Sequence, residues 1–223
     1  MDSRLSFLNA LLRFVSSIAF LLLGIRMLAT ETDGYFFLTW NLGLAAIPYI
    51  VASFFEWISK KHPLSFLWNA PILLVWFFFF PNAPYIVTDF IHLPWEYASS
   101  IFFLYDFLLV GSFASAGILF GILSLVSMKA TLERMWGSML SDFFLLLSVC
   151  LSGVGVYLGR FLRLNSWQVV TEPLTVIHET ALHFASPAWM LHALLLSFLF
   201  SLVTVIPYLF TLFLLRHSQP ERE

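Results

Sequence analysis

Charge is what this chain has least of. Across 223 residues it carries 11 Lys+Arg and 13 Asp+Glu, 11% of the whole, for a net charge of −2. Water-soluble domains are about a quarter charged, so a globular soluble fold is excluded. So weak a net charge also gives no basic field for nucleic acid. Cysteine occurs once, at Cys150 inside an apolar run. A single thiol forms no intramolecular disulfide and says nothing about redox compartment. No low-complexity tract, disordered tail or composition shift divides the chain, which reads as one polytopic domain over 1–223.

What fills the chain instead is hydrocarbon. Hydrophobic residues make up 60% of the sequence, 26 of them phenylalanine, and mean hydropathy is +0.89. Six runs approach the roughly twenty apolar residues that cross a bilayer, at about 7–29, 35–56, 64–81, 98–127, 139–161 and 188–215. The expected fold is all-α: an integral membrane bundle of about six helices. Arg13 and Arg26 interrupt the first run and no small-x-small site follows it. It therefore reads as a span rather than a cleaved signal peptide.

Basic residues set the orientation. Arg4, Arg13, Lys60, Lys61, Lys129, Arg134, Arg216 and Arg222 collect on one side of a six-span arrangement, leaving Arg26, Arg160 and Arg163. Both termini are thus expected in the cytoplasm. Between the fifth and sixth runs, Leu174, Ile177, Ala181 and Leu182 mark one face of a short helix from about Pro173. Its length and pattern suit an extracytoplasmic interfacial helix rather than a seventh span.

Polar chemistry concentrates on the extracytoplasmic side. Pro81-Asn82-Ala83-Pro84-Tyr85-Ile86-Val87-Thr88-Asp89 ends the third apolar run with two prolines, an amide and a carboxylate, and His92 follows. Unpaired backbone and ionisable groups are costly there unless something engages them. Asp106 lies about eight residues, or some 12 Å, into the expected fourth span. A carboxylate at that depth costs roughly 2.5–3.5 kcal/mol and should be paired inside the bundle. Arg160 and Arg163, three apart, are expected to share a helix face with Tyr157 one turn deeper. They sit in a run containing Gly155-x-x-x-Gly159, which admits a close helix neighbour. Asn165 and Ser166 end that motif.

These residues support several readings. Arg160 and Arg163 suit a phosphate, with Asn82, Tyr85, Thr88, Tyr157, Asn165 and Ser166 as further headgroup contacts. The plainer alternative is a structural ion pair with Asp106 or Asp89, or snorkelling to headgroups. Asp89, His92 and Asp106 are the acid–base candidates. As a metal set they would suit zinc, manganese or iron, against a hydrogen-bonded polar cluster. His178-Glu179-Thr180-Ala181-Leu182-His183 is no zinc-protease box, because its histidines are five apart, about 140° around a helix. They read as interfacial histidines without a fixed role. Gly111, Ala114, Gly117 and Gly121 read as a helix-packing face.

The Pro81–Asp89 stretch, together with Tyr157-Leu158-Gly159-Arg160-Phe161 and Arg163, Asn165, Ser166 and Trp167, resembles a bacterial integral-membrane family known as domain of unknown function 1361. Trp40-Asn41 and Tyr105-Asp106 match family positions as well. In the family an acid often follows the tryptophan; here Gln168 stands there. The resemblance implies a bacterial plasma-membrane protein and supplies no activity or cofactor. Three functions fit: binding of an anionic, phosphate-bearing lipid or lipid-linked substrate, with or without bond cleavage; proton- or ion-coupled transport through Asp106 and His92; and assembly of a membrane complex.

Overall fold

The computed structural model describes residues 2–61 and 66–216. The expected start of the third span at residue 64 and Arg222 lie outside these residues, as do the side chains of Arg4 and Arg216. The described elements are α1 (Asp2–Thr30), α2 (Phe37–Lys61), α3 (Phe66–Phe79), α4 (Asn82–Tyr85), a 3-10 helix (Ile86–His92), a 3-10 turn (Trp95–Tyr97), α5 (Ile101–Trp136), α6 (Ser138–Phe161), α7 (Gln168–Thr171), α8 (Pro173–Phe184) and α9 (Pro187–Arg216). Among the described residues, six helical segments are long and apolar enough to cross a bilayer. The chain is a helical multispanning membrane protein.

Helix α5 is the axis of the bundle. At 36 residues it is about 54 Å long, and it is the most buried of the six segments. Its start is fixed by Ser100, whose hydroxyl accepts the Phe103 amide at 3.0 Å, an N-cap that satisfies one of the free first-turn donors. Its end is Gly137 at φ +80°, a left-handed corner suited to glycine, and α6 starts at the next residue. On one side α5 packs with α1 and α2 around Leu38, Leu42, Leu109 and Phe113. On the other, Met128 and Leu132 meet Phe55, Trp76, Leu145 and Val149. The buried Trp76 indole donates to Ser124 Oγ at 2.7 Å, so this core keeps no orphaned donor there.

The exterior carries phenylalanine and leucine, as a lipid-facing surface should. Trp40, Trp57, Trp95, Trp167 and Trp189 are exposed and lie near the ends of helices, the positions favoured at membrane interfaces. Helix α8, at 12 residues, is about 18 Å long, too short to cross. Leu174, Ile177 and Leu182 are exposed on it, in keeping with an interfacial helix.

The third span departs from the sequence expectation. The apolar run was expected to end at Pro81; instead helical winding continues to His92, and the segment Asn69–His92 counts as one crossing. Proline removes an amide donor but not the possibility of tighter winding. The Ala83 amide bonds back to the Phe80 carbonyl at 3.1 Å, and the Asn82 side chain donates to the Phe79 carbonyl at 2.9 Å. The backbone is thereby resatisfied inside the bundle.

This segment lies between two glycine-bearing helix faces. A Cβ on Gly117 of α5 would overlap Ile86 Cγ2 and come within 3.0 Å of the Ala83 carbonyl, and one on Gly121 would sit 3.1 Å from Ala83 Cβ. Across the segment, a Cβ on Gly155 of α6 would come within 2.6 Å of Pro81, and one on Gly159 within 3.2 Å of Tyr85. The small residues of α5 and the G-x-x-x-G of α6 serve one purpose: close approach to the proline-broken segment.

Candidate functional site

Two buried ion pairs are built near the end of the bundle where the third span stops and α5 begins. In the first, Asp89 is fully buried and both its oxygens are engaged. Arg160 Nη2 donates to Oδ1 at 2.7 Å, and Asn41 Nδ2 donates to Oδ2 at 2.7 Å. Arg160 also donates to Thr88 Oγ1 and, through Nη1 at 3.2 Å, to His92 Nε2. A guanidinium is donor-only, so that imidazole nitrogen is the acceptor. The Arg160 guanidinium lies over the Tyr85 ring at 4.7 Å, a cation–π contact. Asp89 and His92 fall on one side because three residues complete about one turn of a 3-10 helix.

The second pair is Arg26 with Asp106. Nε and Nη2 donate to the two carboxylate oxygens at 2.6 and 3.1 Å, a bidentate fork, and the Tyr35 hydroxyl donates to Oδ2 at 3.0 Å. Tyr35 lies in the turn between α1 and α2. Burial, and then the hydrogen bond to Asp106, push its hydroxyl up to about 12. It is a neutral donor at physiological pH.

Several sequence expectations are corrected here. Asp106 is not a partner of Arg160 or Arg163, and it lies five residues past the start of α5 rather than eight. Its carboxylate belongs to Arg26. Asp89, His92 and Asp106 do not assemble as metal ligands: among the described residues no group of three His, Cys, Asp or Glu side chains is placed to hold an ion. Arg160 and Asn41 occupy the Asp89 oxygens, and Arg26 those of Asp106. Arg163 does not share a helix face with Arg160. Helix α6 stops at Phe161, Arg163 is left-handed at φ 57°, and the Leu164 amide folds back to the Leu158 carbonyl at 3.3 Å. Such a residue commonly ends a helix, glycine more often than arginine. Arg163 is exposed, and among the described residues it has no ion-pair partner.

Tyr157 also leaves the expected group. It is fully buried, and its hydroxyl lies 2.7 Å from His183 Nε2 and 3.4 Å from His192 Nδ1. His183 thus has a fixed role, tying α8 to α6. His178 is exposed, 3.6 Å from Glu179.

The remaining candidates surround a cavity of about 200 Å³, bounded by Trp40, Asn41, Pro81, Asn82, Tyr85, Gly155, Gly159, Leu164, Asn165 and Ser166. Asn82 donates to Ser166 Oγ at 3.0 Å, linking the third span to the chain beyond α6. A neighbouring apolar groove of about 290 Å³ runs along Phe77, Phe78, Leu151, Val154, Leu158 and Val176. Polar cavity and apolar groove share Pro81, Gly155, Leu164, Asn165 and Ser166. At the opposite end, an apolar cleft of about 350 Å³ between α6 and α9 includes Asp142, whose carboxylate is already paired with Lys129.

Sequence reasoning missed Asn41, Arg26 and Tyr35 as partners of the two acids. A signal existed for Arg26: a lone arginine near the end of an apolar helix, on the side expected to be extracytoplasmic, implies a matched acid.

Fold and site together define a polytopic helical membrane protein with a polar, ion-paired centre at one end. The family model described as Protein of unknown function (DUF1361) matches residues 40–206, well over half of the chain, and the chain belongs to that family. No curated protein and no solved structure matches it.

Proposed function

We propose that this protein binds a phosphate-bearing lipid or lipid-linked substrate, with its polar head in the Asn41–Asn82–Ser166 cavity and its hydrocarbon in the adjoining groove. The observation that carries this reading is the shared wall. A polar compartment and an apolar one, joined through five common residues, match the two halves of an amphiphile. Arg163, exposed and without an ion-pair partner among the described residues, stands next to Leu164 and Asn165 in the chain and supplies a cation for the phosphate. Arg160 plays a different part. Its charge is matched by Asp89, and it positions Thr88, Tyr85 and His92 at the edge of the site. Asp89, with both oxygens engaged, anchors Arg160 rather than acting as a base.

Native mass spectrometry of protein released into mild detergent tests this. Wild type is expected to retain one phospholipid-sized adduct. Arg163→Ala, which breaks no ion pair among the described residues, is expected to lose it. Val176→Trp, which fills the groove, is expected to lose it as well. Equal retention in all three would reject the proposal.

We further place the site end in the extracytoplasmic leaflet of the bacterial plasma membrane. Lys60, Lys61, Lys129 and Arg134 at the opposite end support this through the positive-inside bias. Fusions after Glu96 are expected to give active alkaline phosphatase and a dark green fluorescent protein. The reverse pattern would invert the topology.

A further inference from the structure

Two amides that line the cavity have their orientation fixed by the protein itself. Resting on the lipid reading above, we infer that the bound headgroup is a hydrogen-bond donor: a phospholipid head bearing an amine or hydroxyl, rather than a fully alkylated one.

The argument starts from two amides whose orientation is forced. Asn41 Nδ2 donates to Asp89 Oδ2, a carboxylate oxygen that only accepts while Arg160 holds its other oxygen. Asn82 Nδ2 donates to the Phe79 carbonyl, which also only accepts, and to Ser166 Oγ. Each nitrogen is therefore turned into the protein, and each Oδ1 is left as an acceptor with two lone pairs. Among the described residues neither Oδ1 has a protein partner, and neither is sealed off as a buried orphan. Both residues line the cavity.

Acceptors of this kind select by chemistry. A head with N–H or O–H groups replaces the water lost when it enters. A trimethylammonium head carries the same charge but donates nothing, and it would leave the two oxygens desolvated and unpaired. On the lipid reading the phosphate has its counterpart in Arg163, next in the chain to the cavity-lining Leu164, and the Ser166 hydroxyl, having accepted from Asn82, keeps its proton to donate. On this division of labour Arg163 serves the phosphate, and the two amide oxygens serve the group attached to it.

The test uses full-length, delipidated protein in mild detergent. Four phospholipids with identical acyl chains are titrated by native mass spectrometry: phosphatidylethanolamine against phosphatidylcholine, and phosphatidylglycerol against phosphatidylmethanol. Within each pair the net charge is equal, and the donor-bearing head is the smaller of the first pair and the larger of the second, so size alone cannot favour it in both. The donor-bearing member is expected to bind about tenfold tighter in both pairs, with binding of all four weakened in Arg163→Ala. Equal binding within either pair, still dependent on Arg163, would overturn the donor inference and leave the phosphate-lipid reading standing. Absence of binding by all four, or binding indifferent to Arg163→Ala, would remove both.

Discussion

Asp89→Ala is expected to destabilise the detergent-solubilised protein by about 3–5 kcal/mol, the range for removing one partner of a buried ion pair. The loss is large because the pair's other half stays behind. The Arg160 side chain is 14% exposed and that of Asp89 1%, so alanine leaves a largely buried guanidinium facing no anion, and strands the Asn41 amide as well. The discriminating measurement is a double substitution. Asp89→Ala/Arg160→Leu is expected to unfold at a higher temperature than Asp89→Ala alone, because the orphaned charge is gone. If the double variant is no more stable than the single one, the penalty comes from packing and the electrostatic account of this centre fails.

Gly153→Ala should be comparably damaging for a steric reason. A Cβ there would overlap the Ser197 carbonyl oxygen and Ser201 Oγ and lie 2.8 Å from the Ser197 carbonyl carbon. Backbone cannot rotate aside as a flexible side chain does, so α6 and α9 must separate. Overpacking of this kind costs about 1–3 kcal/mol or more, and it also disturbs the Ser201 hydroxyl, which bridges to the Cys150 carbonyl at 2.9 Å. Gly43→Ala in α2 is the control. It meets nothing within 4 Å and should be neutral or slightly stabilising through helix propensity. Thermal melting and size-exclusion profiles of the two variants decide the matter. Similar behaviour would show that α6 and α9 pack less closely than described.

The sequence made the membrane class and six crossings legible because hydropathy over about twenty residues is a local property. The short helix at Pro173–Phe184 was legible from the local spacing of its apolar residues. Pairing was legible only in part. Asp89 and Arg160 announced themselves as groups needing partners, but Asp106 had several cations to choose from, and nothing local told it to take Arg26. The left-handed turn at Arg163 was hidden too, since arginine carries no turn signal as glycine does. The continuation of the third span past two prolines was missed because proline is read as a stop. Here tighter winding and the Asn82 side chain replace the lost bonds.

That tighter winding has a mechanical consequence. In 3-10 form the seven residues Ile86–His92 extend about 14 Å, against about 10.5 Å as an α-helix. Rewinding to α would shorten the segment by about 3.5 Å and rotate His92 about 60° away from Asp89. In the 3-10 form a single guanidinium grips both side chains. Arg160 is thus a gauge of the coil it rests on, and any force that rewinds the segment must first break that two-point hold.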